Sequence, residues 1–201
     1  MIIVVILIIF LIFIFSKKKE DKGAIGENKV NRILDNLPEQ QYISIKDLLL
    51  KTEKGTTQID HVVISYKGIF VIETKNYDGL IFGSDKQKYW TQVLYKNKYK
   101  FYNPVWQNKG HISAIKSVLN RYDIPMYSIV AFSNRCKLEK IDSETPVIYM
   151  SDLTNYLLNI DDGGYIGLDE RMSIRDKLIS LNIKGKEARE EHIRQVNMKK
   201  D

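Results

Sequence analysis

Apolar positions along the chain fall into three kinds of run. From residue 1 to 15 they are unbroken. In 42–50, 58–65, 68–75, 79–83, 127–133 and 146–150 they form short stretches, most of them rich in β-branched or aromatic residues, that predict strands. In 23–37, 103–122 and 168–181 they recur at helical spacing. Pro38 stops the first of these helices, and Asn103-Pro104 opens the second with proline in its first turn. A further helix is expected from Ser151-Asp152-Leu153 to the break at Asp161-Asp162-Gly163-Gly164. Residues 51–57, polar and containing Gly55, read as a connecting loop, and 89–95 with 98–101 as a hairpin around Lys96-Asn97. The compact runs 127–133 and 146–150 have the look of parallel strands covered on both faces. Strands interleaved with helices predict an α/β domain.

The polar positions on two of these runs stand out. Ser65-Tyr66-Lys67-Gly68 is short enough to force its flanking strands into an antiparallel hairpin. With the turn centred between Tyr66 and Lys67, Asp60 lies opposite Glu73, their Cβ atoms about 5 Å apart, and Lys75 shares the face of Glu73. Opposed carboxylates repel, which calls for a cation between them. Magnesium suits such a place, because it takes one or two carboxylates and shares its remaining positions with water and phosphate oxygens. The bland alternative is an edge hairpin whose Glu–Lys pair is solvated. Glu27 shares a helix stripe with Val30, Asn31 and Leu34, so it either points inward or is an ordinary first-turn carboxylate. Gln107 and His111 sit one turn apart near a helix start, where an anion is favoured; a solvated glutamine is the default, and His111 is not expected to be a general base.

Composition narrows the chemistry. The single cysteine, Cys136, excludes an internal disulfide and a cysteine-based zinc site, and the three scattered histidines show no ligand spacing, so a metal here is held by oxygen. Cys136 reads as a structural or bystander thiol. The formal net charge of +6 permits contact with nucleic acid or an anionic membrane face. Aromatics and lysines interleave between residues 89 and 101, a combination suited to base stacking, although packing is preferred for Trp90 and most of the tyrosines. Residues 184–201 are charged and read as a solvated helix or disordered tail.

Residues 1–16 are shorter than the ~20 usual for a spanning helix. No Lys or Arg precedes them and no small-X-small site follows, which favours an uncleaved signal anchor over a cleaved signal peptide. Lys17-Lys18-Lys19, in a basic linker 17–22, place the amino terminus outside and the rest in the cytoplasm. A folded domain over 23–183 and the charged segment 184–201 follow.

The ordered set Gly23-X-X-Gly26-Glu27, Gln58-Ile59-Asp60-His61, Gly68-Ile69-Phe70-Val71-Ile72-Glu73-Thr74-Lys75-Asn76, Gly79, Trp90 and Asn103-Pro104-X-X-Gln107-X-X-X-His111 resembles the nuclease-related domain (NERD) family, within the restriction-endonuclease-like group. The resemblance covers about residues 23–122. It implies a mixed central β-sheet flanked by helices, here preceded by the membrane segment. It also implies a magnesium-dependent nuclease acting on DNA, with Mn2+ as an allowed substitute. Asp60 and Glu73 would hold the metal, with the Thr74 carbonyl as a third ligand. Lys75 would position water or stabilise the phosphate, Glu27 would add a carboxylate, and Gln107 would be an auxiliary polar group. A non-catalytic, membrane-tethered binding or interaction module of the same fold is the competing expectation. Many enzymes of the group act as dimers, but no segment of this sequence marks a homo-oligomer interface.

Overall fold

The computed structural model describes residues 22–160 and 165–198. The expected membrane segment, most of its basic linker and the acidic break at 161–164 lie outside the described residues. Among the described residues no helix is long and apolar enough to cross a membrane. The chain runs α1 (Lys22–Leu34), β1 (Tyr42–Thr52), β2 (Gly55–Ser65), β3 (Gly68–Lys75), β4 (Gly79–Ser84), β5 (Tyr89–Leu94), β6 (Asn97–Tyr102) and α2 (Pro104–Leu119). It continues through β7 (Met126–Phe132), β8 (Cys136–Asp142), β9 (Val147–Tyr149), a 3-10 turn (Met150–Asp152), α3 (Leu153–Asn159), α4 (Leu168–Leu181) and α5 (Lys186–Met198).

The predicted hairpin forms with the predicted register, from Ser65 opposite Gly68 to His61 opposite Ile72. β3 then pairs in parallel with β7, reached through the α2 crossover, and β9 adds beyond it in parallel, giving the order β1-β2-β3-β7-β9. Side chains alternate along β2 and β3. Val62, Ile64, Ile69 and Val71 meet Ile115 and Leu119 of α2 and Ile174 and Leu178 of α4. Val63, Phe70 and Ile72 meet Val30 and Leu34 of α1 and Leu153 and Leu157 of α3. Coverage on both faces is why these strands read as continuous apolar runs.

Two mixed sheets are present among the described residues, where a single central sheet was expected. The second has the order β6-β5-β4-β8. Its origin is a tandem continuation: β4 follows β3, β8 follows β7, and the parallel pair β3–β7 is succeeded by the parallel pair β4–β8. Trp90 fills the space between, stacked on Phe132 at 6.2 Å between ring centroids. A Cβ on Gly83 would fall 2.0 Å from the indole, so only glycine admits the ring there. The expected loop 51–57 is mostly strand, since Lys51 pairs with Thr56 and Thr52 with Gly55, leaving Glu53-Lys54 as the turn. The charged carboxyl-terminal segment forms α5, which docks on β1 and β2 through Arg189 to Asp47 and His192 to Thr56.

Candidate functional site

The β2–β3 ladder ends at His61 opposite Ile72, one position short of Asp60 and Glu73. Beyond it β3 stays paired with β7 while β2 stays paired with β1, so the two central strands fork. A fork strands backbone donors. The N–H of Thr74, deprived of a ladder partner on β2, is taken at 2.8 Å by Oδ2 of Asp60. The far side of the fork is shaped by Asp47, at the β1 position facing Asp60, which adopts a left-handed φ of 54° and accepts from Gln58 Nε2 at 2.7 Å.

Asp60, Glu73 and Lys75 all project to the face covered by α2, as their shared parity with Val62 and Val71 requires. Glu73 is 1% exposed. Lys75 Nζ donates to Glu73 Oε1 at 2.6 Å and to Gln107 Oε1 at 3.1 Å. His111 Nε2 donates to Glu73 Oε2 at 3.1 Å, and its Nδ1 is paired with Thr57 Oγ1 at 2.8 Å. The helix that supplies Gln107 and His111 is placed by Asn103, whose Oδ1 accepts from the Val105 N–H at 2.9 Å while Nδ2 donates to the carbonyls of Ser84 and Gln87. One turn further on, buried Asn108 reaches the Val71 and Ile129 carbonyls at 2.7 and 3.2 Å, fastening α2 across the β3–β7 seam.

Charge in this cluster is governed by burial and proximity. Burial opposes ionisation of Glu73, but the Lys75 ammonium and the His111 hydrogen bond overcome it and hold the carboxyl down to about 2. Burial likewise disfavours the Lys75 cation, yet Glu73 raises its pKa above the ordinary value. Asp60 moves the other way. Burial, and then the charge of Glu73, push its carboxyl well above the usual range, against the pull of Lys75 and the Thr74 N–H.

Glu27 comes from the opposite face. A Cβ on Gly26 would lie 2.6 Å from the Asn76 Cβ, so glycine lets α1 close on the end of β3 and bring Glu27 beside the fork. There its charge is felt by Asp60 more weakly than those of Glu73 and Lys75. On this face His61 donates from Nε2 to Asn31 Oδ1 at 3.0 Å and meets the Thr74 hydroxyl at 3.3 Å, and burial drops its pKa to about 4. The structure therefore gathers Asp60, Glu73, Lys75 and Gln107 directly, with Glu27 at the margin. Sequence reasoning passed over Thr57 and Asn108 and undervalued His111. The i, i+4 spacing of Gln107 and His111 was the available signal, because it turns both toward β3.

Oxygen is the chemistry on offer for a cation: the carboxylates of Asp60 and Glu73 and the Thr74 carbonyl, which leaves β3 on the same edge as the N–H bound by Asp60. Among the described residues no group of three or more His, Cys, Asp or Glu side chains is arranged to hold a metal. Two carboxylates completed by main-chain, water and substrate oxygens nonetheless fit what a magnesium-like ion accepts. Alongside the cluster lies a groove of about 810 Å3, walled by Gln107, His111, Tyr102 and Trp106 on one side and by Lys51 and Lys54 of the β1–β2 turn on the other.

The sequence model of the nuclease-related domain matches residues 22–133, which hold α1 through β7 and with them each member of the cluster. A protein of Bacillus anthracis described as uncharacterized is 36% identical over 182 residues, covering 89% of this chain and 85% of its own length. The match reaches beyond the fork to most of the chain. With that breadth and with the acidic–lysine cluster sitting inside the matched segment, the chain belongs to the nuclease-related domain family, part of the restriction-endonuclease-like superfamily.

Proposed function

We propose that this protein hydrolyses phosphodiester bonds of DNA with the help of a divalent cation, magnesium or in its place manganese. The observation that carries the reading is the convergence of Asp60, Glu73, Lys75 and Gln107 on one face of a strand fork at the edge of an open groove. Asp60, Glu73 and the Thr74 carbonyl would hold the ion. When bound, it would neutralise charge on the scissile phosphate and acidify the attacking water. Lys75, fixed by Glu73 and Gln107, presents a cation to the charge that develops on the phosphate oxygens. His111 keeps Glu73 oriented, and Thr57 keeps His111 oriented. Glu27 adds negative potential on the far side of Asp60. The proposal includes residues 1–16 as the membrane tether, with the amino terminus outside and the restriction-endonuclease-like domain in the cytoplasm, which protease protection of intact cells checks.

The test is nicking of supercoiled plasmid by the full chain with magnesium or with chelator. Asp60→Asn retains an oxygen for the Thr74 N–H and should preserve the fold while cutting the rate at least about a hundredfold; Lys75→Ala should do the same. Variants that nick as fast as the wild type would sink the reading. One observation favours a second reading: both carboxylate oxygens of Glu73 are already engaged, by Lys75 and His111. In a non-catalytic interaction module that triad would be structural, and calorimetry would detect no magnesium heat that depends on Asp60.

A further inference from the structure

The face of β5 and β6 turned away from the core carries Tyr89, Tyr102, Thr91, Lys100, Val93 and Lys98, set by the pairing of Tyr89 with Tyr102, Thr91 with Lys100 and Val93 with Lys98. The tyrosines of 89–101, most of which were expected to pack, are exposed, Tyr89 by 40%, Tyr95 by 93% and Tyr99 by 50%, and Tyr102 beyond them is 42% exposed. Trp90, on the opposite face, is buried as expected. The rings are in sequence. Tyr89 meets Tyr102 edge-on at 6.4 Å, Tyr102 meets Trp106 at 6.4 Å, and Lys88 Nζ stands 5.1 Å over the Tyr89 ring. Trp106, 37% exposed, is pinned by its indole N–H to the Asp85 carbonyl at 2.7 Å and directly precedes Gln107, the partner of Lys75.

Charge complements the rings. From Lys86 to Lys116 the chain contains Lys86, Lys88, Lys96, Lys98, Lys100, Lys109 and Lys116 and no aspartate or glutamate. Tyr102 and Trp106 also wall the groove that runs to Gln107 and His111, with Lys51 and Lys54 opposite and Glu53 the one acid among its lining residues. Lysines alone would suit any polyanion. Pinned, exposed rings add something a duplex cannot use, because its bases are already stacked on one another, whereas an unpaired base has a free face.

We propose that the outer face of β5–β6, continued by Trp106 into the groove, is a stacking platform for single-stranded nucleic acid that feeds unpaired nucleotides to the Asp60–Glu73–Lys75 fork. In taking the fork as the destination the proposal rests on the nuclease reading, but strand binding by the platform does not. A duplex would reach the fork only where it is frayed, gapped or unwound.

The experiment is fluorescence anisotropy of labelled oligothymidylate and of a blunt duplex with the full chain in detergent and chelator, so that nothing is cut. Single strands should bind at least about tenfold tighter than duplex, and Tyr102→Ala and Trp106→Ala should each weaken single-strand binding about tenfold. Trp106→Phe should recover most of the loss, and Lys98→Ala should lower the salt slope by roughly one. Wild-type tryptophan emission, read in parallel, should be quenched by oligothymidylate and not by duplex, a result that needs no variant to fold. Equal affinity for duplex, alanine variants that are folded by circular dichroism yet bind as the wild type does, or no binding to either nucleic acid would overturn the proposal, the last leaving the patch to a protein partner. Cleavage measured separately with magnesium keeps the two readings apart. Strand-selective binding without cleavage removes the nuclease and leaves the platform, whereas cleavage without strand selectivity does the reverse.

Discussion

Glu73 owes its ionised state to donors from two elements, and only one of them was visible in the sequence. Lys75 stands two positions away on the same strand, so period-two alternation places it. His111 is thirty-eight positions distant and arrives on a helix whose rotation about its axis no local pattern fixes. Thr57 and Asn108 share that difficulty: each is defined by a partner far along the chain. Cys136 is the residue whose reading as an inert thiol makes a sharp prediction. Burial raises its pKa from 9.0 to about 11. The folded state therefore keeps the proton that the unfolded chain releases, so the contribution to stability is whole below pH 9 and is lost as pH climbs from 9 toward 11. Ellman's reagent at neutral pH should react slowly with the native protein and at once after denaturation; prompt reaction of the folded chain would contradict the burial.

Among elements, α2 does the most to build the site, and Asn103 is its anchor. The side chain is fully buried, caps the helix and ties it to the β4–β5 connection. Asn103→Ala should cost about 2 kcal/mol, at the upper end for a cap because the Gln87 carbonyl loses the Nδ2 donor too, whereas the Ser84 carbonyl keeps the Trp90 indole N–H, and chemical denaturation measures it. β8 was the element missed. Its partnered apolar residues, Leu138 and Ile141, are three apart, because the register slips opposite Ile81 and Phe82 and one residue of β8 is left over. The bulge puts both on the inner side and erases the alternation that would have announced a strand. The second sheet went unseen for the same cause, since without β8 the strands β4 to β6 look like an excursion from the first.

At the scale of the molecule, the carboxyl-terminal helix braces the wall of the groove. Arg189 holds Asp47 and His192 holds Thr56, one on each strand of the β1–β2 hairpin. Ending the chain before Lys186 should leave β3 and β7 protected but speed amide exchange across 51–57 by about tenfold, as mass spectrometry of exchanged peptides would show. Unchanged protection there would mean that the brace is idle. The fork itself has a consequence in time. Glu73 and Lys75 are held in place by pairing with Val130 and Phe132, across the whole of α2. A ribosome that has released the chain as far as His111 has delivered each acid and the lysine, yet β3 still lacks its parallel neighbour, and such long-range closure is the slow part of folding. The cluster is thus expected to stay unassembled until synthesis has passed β7, so, on the nuclease function proposed above, a nascent or prematurely terminated chain would be harmless to the nucleic acid around it.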